Sequence, residues 1–174
     1  MPEEGMQWTP REDLLTFEEI ERAATLLVDT FGIESIRITG GEPTVRANLS
    51  KLIEKLSKLN VDLSLTTNGA TLPLVAEDLY NAGLDRINIS LDTLDRQRFE
   101  SLTRRDNLKQ VLQGIEIAKS VGFDPVKINM VVIKGFNDDE VLDFVSFGRE
   151  NGLVVRFIEF MPLDADETWK KSQV

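Results

Sequence analysis

"RINISLD", residues 86–92, alternates strictly: Ile87, Ile89 and Leu91 fall on one parity, Asn88, Ser90 and Asp92 on the other. Side chains alternate across a β-strand, so this stretch predicts a strand with one apolar and one polar face. Three other runs repeat the pattern. In "SIRITGG" (35–41) Arg37, Thr39 and Gly41 oppose Ile36 and Ile38, and in "VDLSLTTNG" (61–69) Ser64, Thr66 and Asn68 oppose Leu63 and Leu65. In "PVKINMVVIKG" (125–135) Lys127 and Asn129 oppose Val126, Ile128 and Met130. A fifth run, "VVRFIEFMP" (154–162), places Arg156 on one parity and Glu159 with Met161 on the other, so a bulge or strong twist is expected near its end.

Amphipathic segments around 17–30, 48–59, 72–82, 95–120 and 138–150 separate these runs. Strands alternating with helices predict βαβ units and a parallel sheet. A doubly wound sheet is covered on both faces and reads as continuously apolar, while a closed eight-stranded barrel fills its interior with branched aliphatic side chains. Neither matches a polar face repeated over four strands. The fold class expected is α/β: an open, partial (β/α) barrel of parallel strands around a wet lumen, forming one domain over residues 1–174. Thr16 and Asn48 are expected to cap helices at their starts, and Gly32, Gly83 and Gly122 to close them.

Composition narrows the chemistry. The 174 residues include no Cys and no His. Disulfides, thiolate nucleophiles, Ser-His-Asp and Cys-His hydrolases, His-rich zinc sites and cysteine-held iron–sulfur clusters are therefore outside what these residues supply. The formal net charge of −10 argues against broad nucleic-acid binding. No run reaches the roughly 18 consecutive apolar residues of a membrane span, and "MPEEGMQW" does not read as a signal peptide, so no membrane partner and a cytoplasmic location are expected.

Parallel β/α architectures bind ligands at the carboxyl ends of their strands, where "GGEP" (40–43) sits. Its glycines permit close backbone approach, and Pro43 stops the strand; a plain turn is the alternative. "TTNG" (66–69) reads as an Asn-Gly turn, and "SLD" (90–92) as a strand end whose Asp caps the next helix or as part of a site. Lys127, Arg37 and Arg156 on an interior face each require a counter-ion. They mark either an anion pocket or internal pairs with Glu42, Asp92 or Glu159. "FNDDE" (136–140) reads as a helix N-terminus rather than a metal site.

In this order, "IRITGGEPTVR", "LTTNG", "RINISLDTLDRQRFESLTRRD", "PVKINMVVIKGFNDDEV" and "VRFIEFMPLD" resemble the radical S-adenosylmethionine superfamily, and within it the branch that cyclises GTP at the first step of molybdenum cofactor biosynthesis. The likeness runs from Met1 to about Trp169. It implies a radical SAM core in which S-adenosyl-L-methionine meets Gly41, Ser90 and Met161, while GTP is held by Arg37, Thr66 and Lys127 with Thr39 and Arg156 as weaker contacts. It also implies a lyase with [4Fe–4S] clusters, a 5′-deoxyadenosyl radical that removes the ribose 3′ hydrogen, and room for a homodimer of the full-length enzyme. The family's C-x-x-x-C-x-x-C motif and its C-terminal cysteines have no counterpart here. A central fragment is therefore expected, without its first strand and C-terminal region, leaving "SIRITGG" with an open edge, no catalytic residue or metal ligand within the chain, and no activity alone. The alternatives are a non-catalytic nucleotide-binding module and a structural partner that pairs through that edge.

Overall fold

The computed structural model describes residue 10 and residues 13–161. "MPEEGMQW" and the closing "DETWKKSQV" lie outside the described residues. Helix α1 (Phe17–Phe31) begins as its sequence predicts. The Thr16 hydroxyl accepts from the Glu19 N–H at 3.2 Å and the Glu19 carboxylate accepts from the Thr16 N–H at 2.8 Å, a reciprocal cap. The helix stops at Gly32, in the left-handed conformation. There follow β1 (Ser35–Ile38), α2 (Leu49–Ser57), β2 (Asp62–Thr67), α3 (Leu72–Asn81), β3 (Arg86–Ser90), α4 (Arg96–Thr103), α5 (Leu108–Val121), β4 (Lys127–Val132), α6 (Val141–Asn151) and β5 (Val154–Glu159).

Three local expectations change. The segment 95–120 is not one helix: Arg104 adopts φ 59° and its N–H closes α4 onto the Glu100 carbonyl at 2.8 Å, so α5 starts afresh at Leu108. Asn48 sits at the start of α2 but makes no side-chain cap bond, because its own backbone is left-handed at φ 59°. Asp95, not Asp92, caps the helix after β3, accepting from the Arg98 N–H at 2.8 Å.

All five strands are parallel and lie in the order β1-β2-β3-β4-β5. A doubly wound sheet reverses its strand order at a switch point; this sheet does not, so it winds in one direction. Nor does it close: β1 and β5 are edges among the described residues. The apolar parity faces the helices. Leu63, Leu65, Ile87, Ile89, Ile128 and Met130 are fully buried, packed with Ile53 and Leu56 of α2, Leu72 and Leu79 of α3, Ile115 of α5 and Phe144 of α6. At full burial each such side chain contributes about 1.5–3 kcal/mol. Gly114 of α5 permits a close approach in this layer, since a Cβ there would lie 2.7 Å from the Gly69 carbonyl and 2.9 Å from Leu72.

The register of β4 against β5 runs unbroken from Lys127↔Val154 to Val132↔Glu159, so the expected bulge is absent. Arg156 therefore stays on the polar parity, and Glu159 on the opposite one. Met161 lies two residues beyond β5 and is 57% exposed. No helix among the described residues is long and apolar enough to cross a membrane.

Candidate functional site

Strand pairing converts the polar parities into cross-sheet rows. The lowest is Arg37–Ser64–Arg86, the next Thr66–Asn88–Lys127, and the uppermost Ser90–Asn129–Arg156. Successive rows are two residues apart, about 6.6 Å at the rise of a parallel strand. The floor is not uniformly wet. Ser64 and Asn88 are buried and donate to the carbonyls of Ile36 (3.5 Å) and Leu65 (3.3 Å), each on the preceding strand. Ser90 is exposed although it ends the central strand, so the carboxyl end of the face is open.

Four cations share this face: Arg37, Arg86, Lys127 and Arg156. The Lys127 ammonium is held below the ordinary lysine range by burial first, then by repulsion from Arg156, Arg86 and Arg37. Among the described residues Arg37, Lys127 and Arg156 take part in no ion pair. The internal counter-ions that the sequence offered are committed elsewhere. Glu42 accepts four hydrogen bonds, Asp92 accepts from the Val131 N–H at 2.8 Å, and Glu159 lies on the other parity. Arg37, Lys127 and Arg156, crowded together without a carboxylate partner, carry the charge that suits an anion, whereas Arg86 is paired with Asp62.

The rim beside them is built from strand-end loops. Gly40 has φ 155°, and a Cβ added at Gly40 or at Gly41 would meet no atom of the described residues within 4 Å. The missing side chains are thus not demanded by packing within the chain; they leave the backbone accessible from the open side. Glu42 ties this loop to the end of β2. Its carboxylate accepts from the Thr44 N–H (3.1 Å) and hydroxyl (2.5 Å), the Thr67 hydroxyl (2.7 Å) and the Asn68 N–H (2.6 Å). Thr44 and Thr71 share a further hydroxyl–hydroxyl bond. The "TTNG" turn is braced in addition by Asn68, which accepts from the Ala70 N–H at 3.0 Å.

"FNDDE" does more than begin a helix. Fully buried Asn137 donates to the carbonyls of Asp92 (2.7 Å) and Val131 (2.9 Å) and accepts from the Ile133 N–H (2.7 Å). Glu140 accepts from the Thr93 hydroxyl (2.6 Å), the Leu94 N–H (2.7 Å) and Arg98 (2.8 Å). The carboxylates there brace the loop after β3, and no group of His, Cys, Asp and Glu among the described residues could hold a metal. Asp92, in the same brace, has its carboxyl pushed above the usual range by burial, partly offset by the Val131 N–H.

Of the residues singled out in the sequence, Arg37, Thr66, Ser90, Lys127 and Arg156 share the sheet's polar face. Thr39 and Gly41 are exposed just past the carboxyl end of β1, and Met161 is exposed past that of β5. Arg86 and Asn129 also belong to the rows. Arg86 opens the stretch quoted at the start, and its parity with Asn88 is the sequence signal that places it on this face. Glu42, one of the counter-ions that the sequence offers, is instead the clamp between two loops.

Solved structures share this architecture. Streptococcus suis SuiB bound to S-adenosylmethionine superposes with a TM-score of 0.71 at 22% identity, over 87% of this chain and 35% of that one. Archaeal TYW1 gives 0.66 at 21% identity, over 95% and 64%. Sequence relatives are nearer. The GTP 3′,8-cyclase of Rhodopirellula baltica is 47% identical over 176 residues, covering 100% of this chain and 49% of the relative. That of Streptomyces coelicolor is 48% identical, covering 98% and 51%, and that of Peptoclostridium acidaminophilum is 51% identical, covering 93% and 50%. The chain thus spans about half the length of the curated relatives it matches. The sequence profile of the Radical SAM superfamily matches residues 2–148, and with a one-directional parallel sheet, a polar strand face and an open glycine rim in the expected places, the chain belongs to that superfamily.

Proposed function

We propose that the chain is the nucleotide- and S-adenosylmethionine-binding core of a GTP 3′,8-cyclase, the enzyme that opens molybdenum cofactor biosynthesis. The observation that carries this reading is the set of cations without ion pairs, Arg37, Lys127 and Arg156, beside an open glycine rim. Arg37, Lys127 and Arg156 hold the triphosphate by charge, with Thr66 and Thr39 donating hydroxyls along the β1 and β2 ends. Gly41, Ser90 and Met161 line the place of S-adenosylmethionine. That ligand fits the residues present: the Gly41 backbone is uncovered and the Ser90 hydroxyl is exposed on the open side. When bound and reduced it supplies a carbon radical for hydrogen abstraction. Placing GTP against it is the work of the two strand-end loops that Glu42 locks together.

An iron–sulfur cluster does not fit the residues of this chain, which include neither Cys nor His. The same feature favours the second reading, a module that holds a nucleotide without radical chemistry. Calorimetric titration separates the two. On the cyclase reading the chain binds both GTP and S-adenosylmethionine; on the other it binds GTP only. Gly41→Ala is expected to leave the melting temperature within about 2 °C of wild type, since its methyl meets no atom of the described residues within 4 Å. It should weaken S-adenosylmethionine at least about tenfold and GTP less than about twofold. Unchanged S-adenosylmethionine binding in this variant would remove Gly41 from the site.

A further inference from the structure

Arg86 differs from the other three cations on the polar face. Its Nε donates to Asp62 Oδ1 at 2.7 Å, and a second guanidinium nitrogen pairs with Asp62 Oδ2, giving a two-pronged fork between the first residues of β2 and β3. Asp62 shares its parity with Ser64 and Thr66, so the pair lies on the polar face, in and beside the lowest row. Both side chains keep more than a third of their surface, 39% for Arg86 and 38% for Asp62, so the pair is not sealed from solvent. Arg86 also stands near enough to Lys127 to repel its ammonium. Without Asp62, the cations would continue from Arg156 through Lys127 to Arg86 with no neutral break.

We propose that Asp62 is a specificity-determining residue that saturates Arg86 and so takes it out of the cation set, leaving Arg37, Lys127 and Arg156 to hold an inorganic or nucleoside triphosphate. This rests on the anion site proposed above and adds the boundary of that site. The carboxylate takes up both prongs of the guanidinium on β3, between the strands that carry Arg37 and Lys127, a geometry that a planar fork satisfies and a lysine would not. Asp62 and Arg86 act here as positioning residues, through the charge that the ligand meets, and not as groups that react.

The charges predict effects of opposite sign. Inorganic triphosphate and GTP are titrated separately into the full 174-residue chain and its variants. Asp62→Asn frees Arg86 and is expected to tighten inorganic triphosphate about three- to tenfold. Arg86→Gln leaves Asp62 facing the anion and is expected to weaken it by a similar factor. The double variant should return within about twofold of wild type, as should the exchanged pair Asp62→Arg with Arg86→Asp, which keeps the fork should Asp62→Asn fail to fold. A merely structural pair would instead make both single variants weaker or less stable, with no reversal of sign. Equal or weaker binding by Asp62→Asn, or an exchanged pair that binds more than about tenfold differently from wild type, overturns the proposal while leaving the anion site standing. A wild-type chain that binds neither ligand overturns both.

Discussion

Lys127→Met is expected to bind GTP about 30- to 200-fold more weakly than the wild-type chain, the loss of one charge-assisted contact worth roughly 2–3 kcal/mol. Stability should move the other way. The Lys127 ammonium is depressed below its ordinary value of 10.5 by burial and by three neighbouring cations. A lysine whose folded value lies below its unfolded one destabilises the fold while charged, and the cost fades as pH rises through the folded value. At neutral pH, removing the charge therefore relieves the free protein, and the ligand-free melting temperature should not fall. Weaker binding together with unimpaired folding is the signature of a binding group held at a cost to stability. Calorimetric titration and thermal melting of the same preparations check both halves. A loss of binding below about threefold, or an equal loss in stability, would take Lys127 out of the role given to it.

Glu140→Ala should have the largest effect on folding. The carboxylate is buried, with 8% of its side chain exposed, and it joins Arg98, the Thr93 hydroxyl and the Leu94 N–H at 2.6–2.8 Å. Truncation leaves the Thr93 hydroxyl and the Leu94 N–H without their acceptor and takes from Arg98 one of its two carboxylate partners, Asp139 remaining, at a cost of about 1–3 kcal/mol for each buried group left unpaired. For a chain of this length the melting temperature should fall on the order of 10 °C. Glu140→Gln, which keeps an acceptor oxygen but not the charge, should fall between. A Glu140→Ala melting point within about 2 °C of wild type would mean that the loop after β3 is held by Asn137 and Asp92 alone.

Local physics made the sheet legible. Strict alternation in "RINISLD" and its three companions put each strand's polar residues on one side, and that side is the face on which Arg37, Thr66, Ser90 and Lys127 meet. The βα rhythm supplied the parallel order. What escaped the sequence depended on distant partners. Glu42 reaches Thr67 and Asn68 across 25 and 26 residues, and nothing near "GGEP" announces that its carboxylate is occupied. The break at Arg104 has no glycine or proline to mark it, because "TRRDN" reads as a continuing helix until Asp106 is seen paired with Arg96. The bulge expected in β5 arose from grouping Arg156 with Met161. The unbroken register shows that only Arg156 belongs to the strand's polar face. Asn48 failed as a cap for a backbone reason: at φ 59° it makes no side-chain cap bond to the first turn of α2.

The central claim is that one face of one sheet, and not the helical layer behind it, receives the nucleotide. Backbone amide chemical shifts of the isotopically labelled chain, followed while GTP is added, test it residue by residue. The prediction is saturable shifts at Arg37, Thr66, Lys127 and Arg156 and along the rim from Gly40 to Glu42, with Glu54, Glu116 and Glu150 on the outer helix surfaces unmoved. Shifts concentrated on those helices, with the four strand residues silent, would contradict it.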